Sequence, residues 1–294
     1  MPDPNPLQRV RTALNPLIPA RFRSDIPLVP VVRLAGAIGI SSPLRPGLTI
    51  SNVARSLERA FAMSNISAVA LSINSPGGAA AQSHLIFKRI RALADEKKVP
   101  VLAFVEDVAA SGGYMIACAA DEIICDPSSI VGSIGVIGAS FGFAKLIDRI
   151  GVERRIYTAG TNKAMLDPFL PENPDHVARL KSIQQDIHAT FIDLVKSRRG
   201  AKLNGGEPDL FSGEYWAAKQ GVELGLVDRV GDMRTVLRER FGDKVETPLI
   251  SAARGLFGRT TPGVGLERML DQQGFADDLV SALETRALWA RYGL

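Results

Sequence analysis

The sequence predicts an α/β fold, a parallel sheet covered by helices on both faces, and three features carry that expectation. Short apolar segments alternate with stretches of helical periodicity, as strand–helix–strand units require. Two of the apolar segments run straight into glycine-rich turns, and a long amphipathic stretch follows in the second half of the chain. With 294 residues, 46% hydrophobic and 22% charged, there is enough apolar material for one large globular unit and a peripheral helical part.

Taken in order, IPLVPVVRLAGAIG reads as a strand region after a Pro-rich leader, and SNVARSLERAFAMS as a helix with Val53, Leu57 and Phe61 on one face. SAVALSIN is a buried strand, followed by the turn SPGG and a helix from about Ala79 to Glu96. PVLAFVE is the next strand, and AASGGYMIACAAD a turn of small residues entering a helix. EIICD, IVGSIGVIG and VERRIYTAG supply further strand candidates, with a helix around Phe143 to Arg149. From Asn173, a suitable cap, a long helix runs to Arg199 with Val177, Leu180, Ile183, Ile187, Phe191 and Leu194 as one stripe, read as core packing. GEYWAAKQGVELGLVDRVGD gives a helix, a turn and a short strand. After about Glu246 come a Gly/Pro-rich joint and a terminal helix from about Leu266. The expected division is a leader over 1–25, the main domain over 26–245 and a linker with helical tail over 246–294.

Composition excludes several functions. Lys and Arg exceed Asp and Glu only by 35 to 31, scattered along the chain, so no nucleic-acid partner is expected. Cys118 and Cys125 sit in apolar surroundings without neighbouring His or Cys, which fits buried free thiols in a reducing compartment and no metal site. No run of about eighteen apolar residues predicts a membrane span, and the leader lacks the uninterrupted apolar core of a signal peptide. The expected location is the cytoplasm. Arg9, Arg11, Arg21 and Arg23 in the leader leave two readings open, a solvated arm or peripheral contact with an anionic inner-membrane surface. Gly132, Gly135 and Gly138 form no dinucleotide fingerprint and no GxxxxGK loop occurs, so no cofactor is expected.

The chemistry is expected at the two glycine turns, Asn74 to Gly78 and Ala110 to Gly113. Turns without large side chains let a substrate backbone approach and can aim N–H groups into a shared cleft. Ser111 stands where a strand gives way to a helix, the place for an exposed nucleophilic hydroxyl. That hydroxyl needs a base. His176 and His188 fall on the long helix, and only His84 could approach the cleft. The alternative is Lys163, in AGTNKAMLDPF, since an apolar setting penalises the charged form and leaves a neutral amine. Asp167 would hold the proton on unless it points elsewhere; taken alone, Lys163 reads as a surface lysine.

SINSPGG, ASGGYMIACAAD, GSIGVIG, NKAMLDPF and GVELGLVD, in this order between about Ile26 and Gly231, resemble the bacterial signal peptide peptidase A family of Ser–Lys proteases, in its short single-copy form. The resemblance implies a parallel-sheet spiral related to crotonases and to the caseinolytic protease subunit. It implies Ser111 as nucleophile, Lys163 as base, Ser133 as the serine that holds the lysine amine, and the N–H groups of Gly78 and Gly112 as oxyanion donors. It further implies peptide substrates, no cofactor, and homo-oligomeric rings in which adjacent subunits share each active site. The chain departs from most members in showing no membrane-spanning helix. The competing reading is a crotonase-type hydratase or isomerase acting on an acyl thioester, with Glu106 or Asp107 as acid/base. A catalytically idle scaffold on the same fold is the third.

Overall fold

The computed structural model describes residues 26–40, 47–250 and 272–294. The leader over 1–25 and the Gly/Pro-rich joint lie outside the described residues. Five strands form a continuous layer: β1 (Val31–Ala35), β2 (Val69–Ser75), β3 (Val101–Ala110), β4 (Glu122–Cys125) and β7 (Arg229–Val230), all parallel in that order. Two more, β5 (Ile130–Gly132) and β6 (Tyr215–Ala217), branch off it.

The branch arises inside β3, the longest strand. Its first half, Leu102 to Val105, pairs with β4, while Val108 to Ala110 pairs with β5. Glu106 and Asp107 stand at the fork, where neither partner strand covers them. β6 pairs antiparallel with β5, so the sheet is mixed at this edge where the sequence predicted parallel strands only.

Side chains alternate between the faces of the layer, as the two-residue period of a strand dictates. Val32, Leu34, Leu71, Ile73, Ala103 and Val105 join one large core. That core is completed by α1 (Ile50–Phe61), α2 (Ala80–Lys97), α3 (Gly112–Ala117) and the C-terminal end of α5 (Pro174–Arg199). Val31, Ala70, Leu102, Phe104 and Ile124 face the other way against Val236 and Leu237 of α8 (Met233–Phe241). The fold class is therefore α/β with helices on both faces, as the alternation predicted. Thr49 caps α1 by accepting from the Asn52 amide, and Asn173 caps α5 by accepting from Asp175 at 2.8 Å.

Three smaller helices complete the order: α4 (Ala144–Arg149), α6 (Glu207–Leu210) and α7 (Ala218–Glu223). A last one, α9 (Gln272–Ala290), precedes Tyr292. The GVELGLVD stretch is tied down by the buried Arg199, whose guanidinium donates to Asp228 at 2.6 Å and to the Gly225 carbonyl at 2.8 Å. Asp228 also accepts from the Ile123 amide at 2.7 Å, which joins this turn to β4. Burial works against the charge of Asp228, but Arg199, Lys202 and that amide together hold its carboxyl below the usual range.

Two expectations fail. IVGSIGVIG is strand only over Ile130–Gly132, where β3 and β6 flank it, and VERRIYTAG forms no strand at all; among the described residues no strand pairs with 133–138 or with 152–160 to complete their hydrogen bonds. The stripe of α5 is buried only from Phe191 onward; no residue from 135 to 190 is buried.

Candidate active site

Ser111 follows the last residue of β3 and precedes α3, and its backbone is held at φ 52° and ψ −122°. A non-glycine residue rarely adopts that conformation, which costs on the order of 1–3 kcal/mol and persists only where the surroundings impose it. Here the Ser111 amide donates to the Gly132 carbonyl at 2.8 Å, and the Met115 amide returns to the Ser111 carbonyl at 3.0 Å. The turn at Gly77 presses from the other side: a Cβ on Gly77 would lie 2.8 Å from the Cβ of Ser111 and 3.0 Å from the Gly112 nitrogen. A Cβ on Gly78 would meet the Ile38 carbonyl at 2.1 Å, and one on Gly112 the Ser83 hydroxyl at 2.2 Å. Gly77 is therefore demanded by the close approach of the two turns, Gly78 by the Ile38 backbone and Gly112 by the Ser83 side chain of α2.

Ser111, Gly78 and Gly112 line one cavity of about 410 Å³. No acceptor among the described residues takes the N–H of Gly78 or of Gly112. Its other walls are Ile38, Met115, Val136 and Ile137, with Ile187 and Phe191 from α5 and Leu288 and Arg291 from the end of the chain. Such a lining suits an extended apolar chain.

Ser133 is also held at a positive φ, 54°, and is 5% exposed. Its amide donates to the Glu214 carbonyl at 2.6 Å, and its hydroxyl accepts from Tyr292 at 3.3 Å. Lys163 is elsewhere. It is exposed, lines no part of the cavity, and no hydrogen bond or ion pair among the described residues joins it to Ser111 or Ser133. Asp167, the residue that would hold its proton on, is engaged by others: it accepts from the Phe169 amide at 2.9 Å and from Arg154 at 2.6 Å, and both keep its carboxyl below the usual range. Arg154 in turn lies 4.7 Å from the centre of the Phe169 ring.

The competing candidates are placed apart from this cavity. His84 stacks on Phe87, and the His188 ring contacts the Ile134 carbonyl at 3.0 Å; neither lines the Ser111 cavity. Glu106 accepts from Arg33 at 2.8 Å and from Ser72, and Arg33 holds its carboxyl below the usual range. Asp107 accepts from Asn74 at 2.6 Å. Both line a different cavity of about 550 Å³ that contains none of Ser111, Gly78 or Gly112, so the geometry offers the hydratase reading no carboxylate at the oxyanion site. Cys118 and Cys125 are buried, and burial pushes the Cys118 thiol up to about 12, far from a nucleophile. No group of metal-ligating side chains occurs among the described residues.

Leu288, Arg291 and Tyr292 were not legible as site residues, because nothing in the sequence says where a terminal helix docks. The aromatic pair Trp289 and Tyr292, at and just beyond the end of that helix, marks the segment without saying what it packs against.

A serine on a strained strand-to-helix turn that lines one cavity with two unengaged amides is an arrangement suited to acyl transfer. The family follows from comparison: residues 93–244 match the model of peptidase family S49, and the chain belongs to that family. A "Putative protease slr0021" of Synechocystis is 30% identical over 219 residues, covering 72% of this chain and 78% of that protein. "Serine protease SPPA, chloroplastic" of Arabidopsis thaliana is 31% identical over 210 residues, 70% of this chain and 31% of its own length. A Brucella abortus protein named "Na(+)/H(+) antiporter NhaA" is 56% identical over 287 residues, 96% of this chain. The chain spans only 39% of the length of that relative. An antiporter works through membrane-spanning helices, and no helix among the described residues is long and apolar enough to cross a membrane. The 287 residues that align include those that match peptidase family S49.

Proposed function

We propose that the chain is a serine endopeptidase that cuts short or unfolded peptides, cleaved signal peptides among them, with Ser111 as nucleophile and Lys163 as general base. The observation that carries this reading is the shared cavity of Ser111 and the two free amides of Gly78 and Gly112. In the proposed reaction the neutral Lys163 amine takes the Ser111 proton as Oγ attacks a peptide carbonyl. The amides of Gly78 and Gly112 hold the oxyanion, the lysine proton passes to the departing amine, and the ester that remains is hydrolysed by water activated by the same lysine. Ser133 accepts an N–H of that amine and keeps its lone pair aimed at Ser111.

Lys163 has to arrive from a second copy of the chain. Supporting this are the exposed apolar side chains of the segment that carries it: Tyr157 is 90% exposed, Phe141 78% and Ile137 69%. An apolar surface of that kind calls for a partner, and the strand-like residues 152–158 pair with no strand among the described residues. The function proposed is thus that of a homo-oligomer with shared sites. A fluorophosphonate probe tests the nucleophile: a covalent adduct at Ser111, lost in Ser111→Ala, is expected, and an assembled, folded protein without any adduct would sink the proposal.

A further inference from the structure

We propose that Tyr292 is a positioning residue of this active site, acting through Ser133; the inference rests on the Ser–Lys reading above. Tyr292 is 6% exposed and packs with Val108, Ala110, Ile130 and Trp289, so its ring covers the end of β3 immediately before Ser111. The Tyr215 ring meets it edge-on at 5.0 Å, and the Tyr215 hydroxyl donates to the Arg291 carbonyl at 3.1 Å. The chain end is thereby fixed to β6, the partner strand of β5. At the tip of the ring, the hydroxyl donates to Ser133 Oγ at 3.3 Å and stands 3.5 Å from the Pro76 carbonyl, beside the Gly77–Gly78 turn.

One residue therefore touches the strand that presents the nucleophile, the turn that presents an oxyanion donor, and the serine expected to hold the base. The consequence for Ser133 is specific. A serine hydroxyl has one proton and two lone pairs. The Tyr292 proton occupies one lone pair and fixes the rotamer, leaving the other lone pair for an N–H of the incoming lysine. Without that bond Ser133 can turn away from the amine, and the amine loses its aim at Ser111. Leu288 and Arg291, one turn back and one residue back, complete the wall of the same cavity, so the segment sits inside the site rather than beside it.

A double-mutant cycle on the assembled protein tests this, using Tyr292→Phe, Ser133→Ala and the pair. Phenylalanine keeps the ring and its packing and removes only the hydroxyl. The expected result for Tyr292→Phe is a fall in kcat of about tenfold, the upper end of what one neutral hydrogen bond is worth, with KM changed by less than about twofold. In the Ser133→Ala background the same substitution should cost nothing further. If Ser133→Ala leaves no measurable turnover, the rate of Ser111 labelling by the fluorophosphonate replaces kcat. Full activity in Tyr292→Phe overturns the proposal, as does a gain, which would make the segment a plug. An equal tenfold loss in both backgrounds also overturns it, since Tyr292 would then act by another route. Absence of wild-type labelling at Ser111 is a separate outcome that removes the catalytic reading itself and this inference with it.

Discussion

Ser111 stands at the end of a buried strand, in a turn packed so closely on the Asn74 to Gly78 turn that Gly77 and Gly113 have no room for a Cβ. Lys163 rides on a segment in which no residue from 135 to 190 is buried, stabilised locally by Arg154, Asp167 and a small cluster of Phe143 and Phe169 rings 5.5 Å apart. The first region is held in one strained geometry by its own core. The second keeps its local shape but leaves its apolar side chains open, so its final position is set by whatever covers them. A nucleophile needs fixed geometry at all times, whereas a base delivered by a second copy makes activity conditional on assembly.

The sharpest way to break the comparison is at the two chemical groups. Ser111→Ala and Lys163→Ala should each lower kcat by about a thousandfold or more while assembly and melting temperature stay at wild-type values. A Lys163→Ala protein with near-full activity would mean that another group is the base. In the packed region, Arg199→Ala removes the buried guanidinium from Asp228 and from the Gly225 carbonyl, leaving Lys202 as the remaining cation on Asp228, and should cost about 1.5–3 kcal/mol in urea unfolding. The equivalent change in the open region, Phe141→Asp, should leave the unfolding of the subunit unchanged and instead dissociate the oligomer and abolish turnover, as size-exclusion chromatography with an activity assay would show. Unchanged oligomeric size would place the interface elsewhere.

Acid should also separate the regions. The folded carboxyl of Asp228 is depressed below its unfolded value of about 3.9, so its contribution to stability is complete above that pH and is lost as pH falls through the folded value. Unfolding curves between pH 5 and pH 2 should show this loss in the wild type and a weaker one in Asp228→Asn. The smallest effect is expected from Asp167→Asn, which removes the charge facing Arg154 on an exposed segment and should leave the urea midpoint closest to that of the wild type.

The packed region was legible in the sequence because local pattern and tertiary demand agree there. The apolar run of SAVALSIN and the small residues of SPGG and ASGG already say that buried strands end in turns that can share a cleft. The open region was not legible to the same degree. VERRIYTAG has strand composition, but a strand exists only with a partner, and the described residues provide none. The α5 stripe misled in a related way: helical periodicity marks an apolar face without saying whether core, cavity or another copy covers it, and Ile187 and Phe191 turn out to line the cavity. Tyr292 was hidden for a third reason, since its role depends on where α9 docks, which no spacing in the sequence encodes.

The central claim is that the serine of one copy works with the lysine of another, and subunit mixing tests it most directly. Ser111→Ala and Lys163→Ala proteins, each inactive alone, are unfolded and refolded together, with mass spectrometry of the intact assembly verifying that they have mixed. Shared sites predict that turnover reappears, because an intact serine from one variant meets an intact lysine from the other. Mixed assemblies that remain as inactive as the parents would contradict the account.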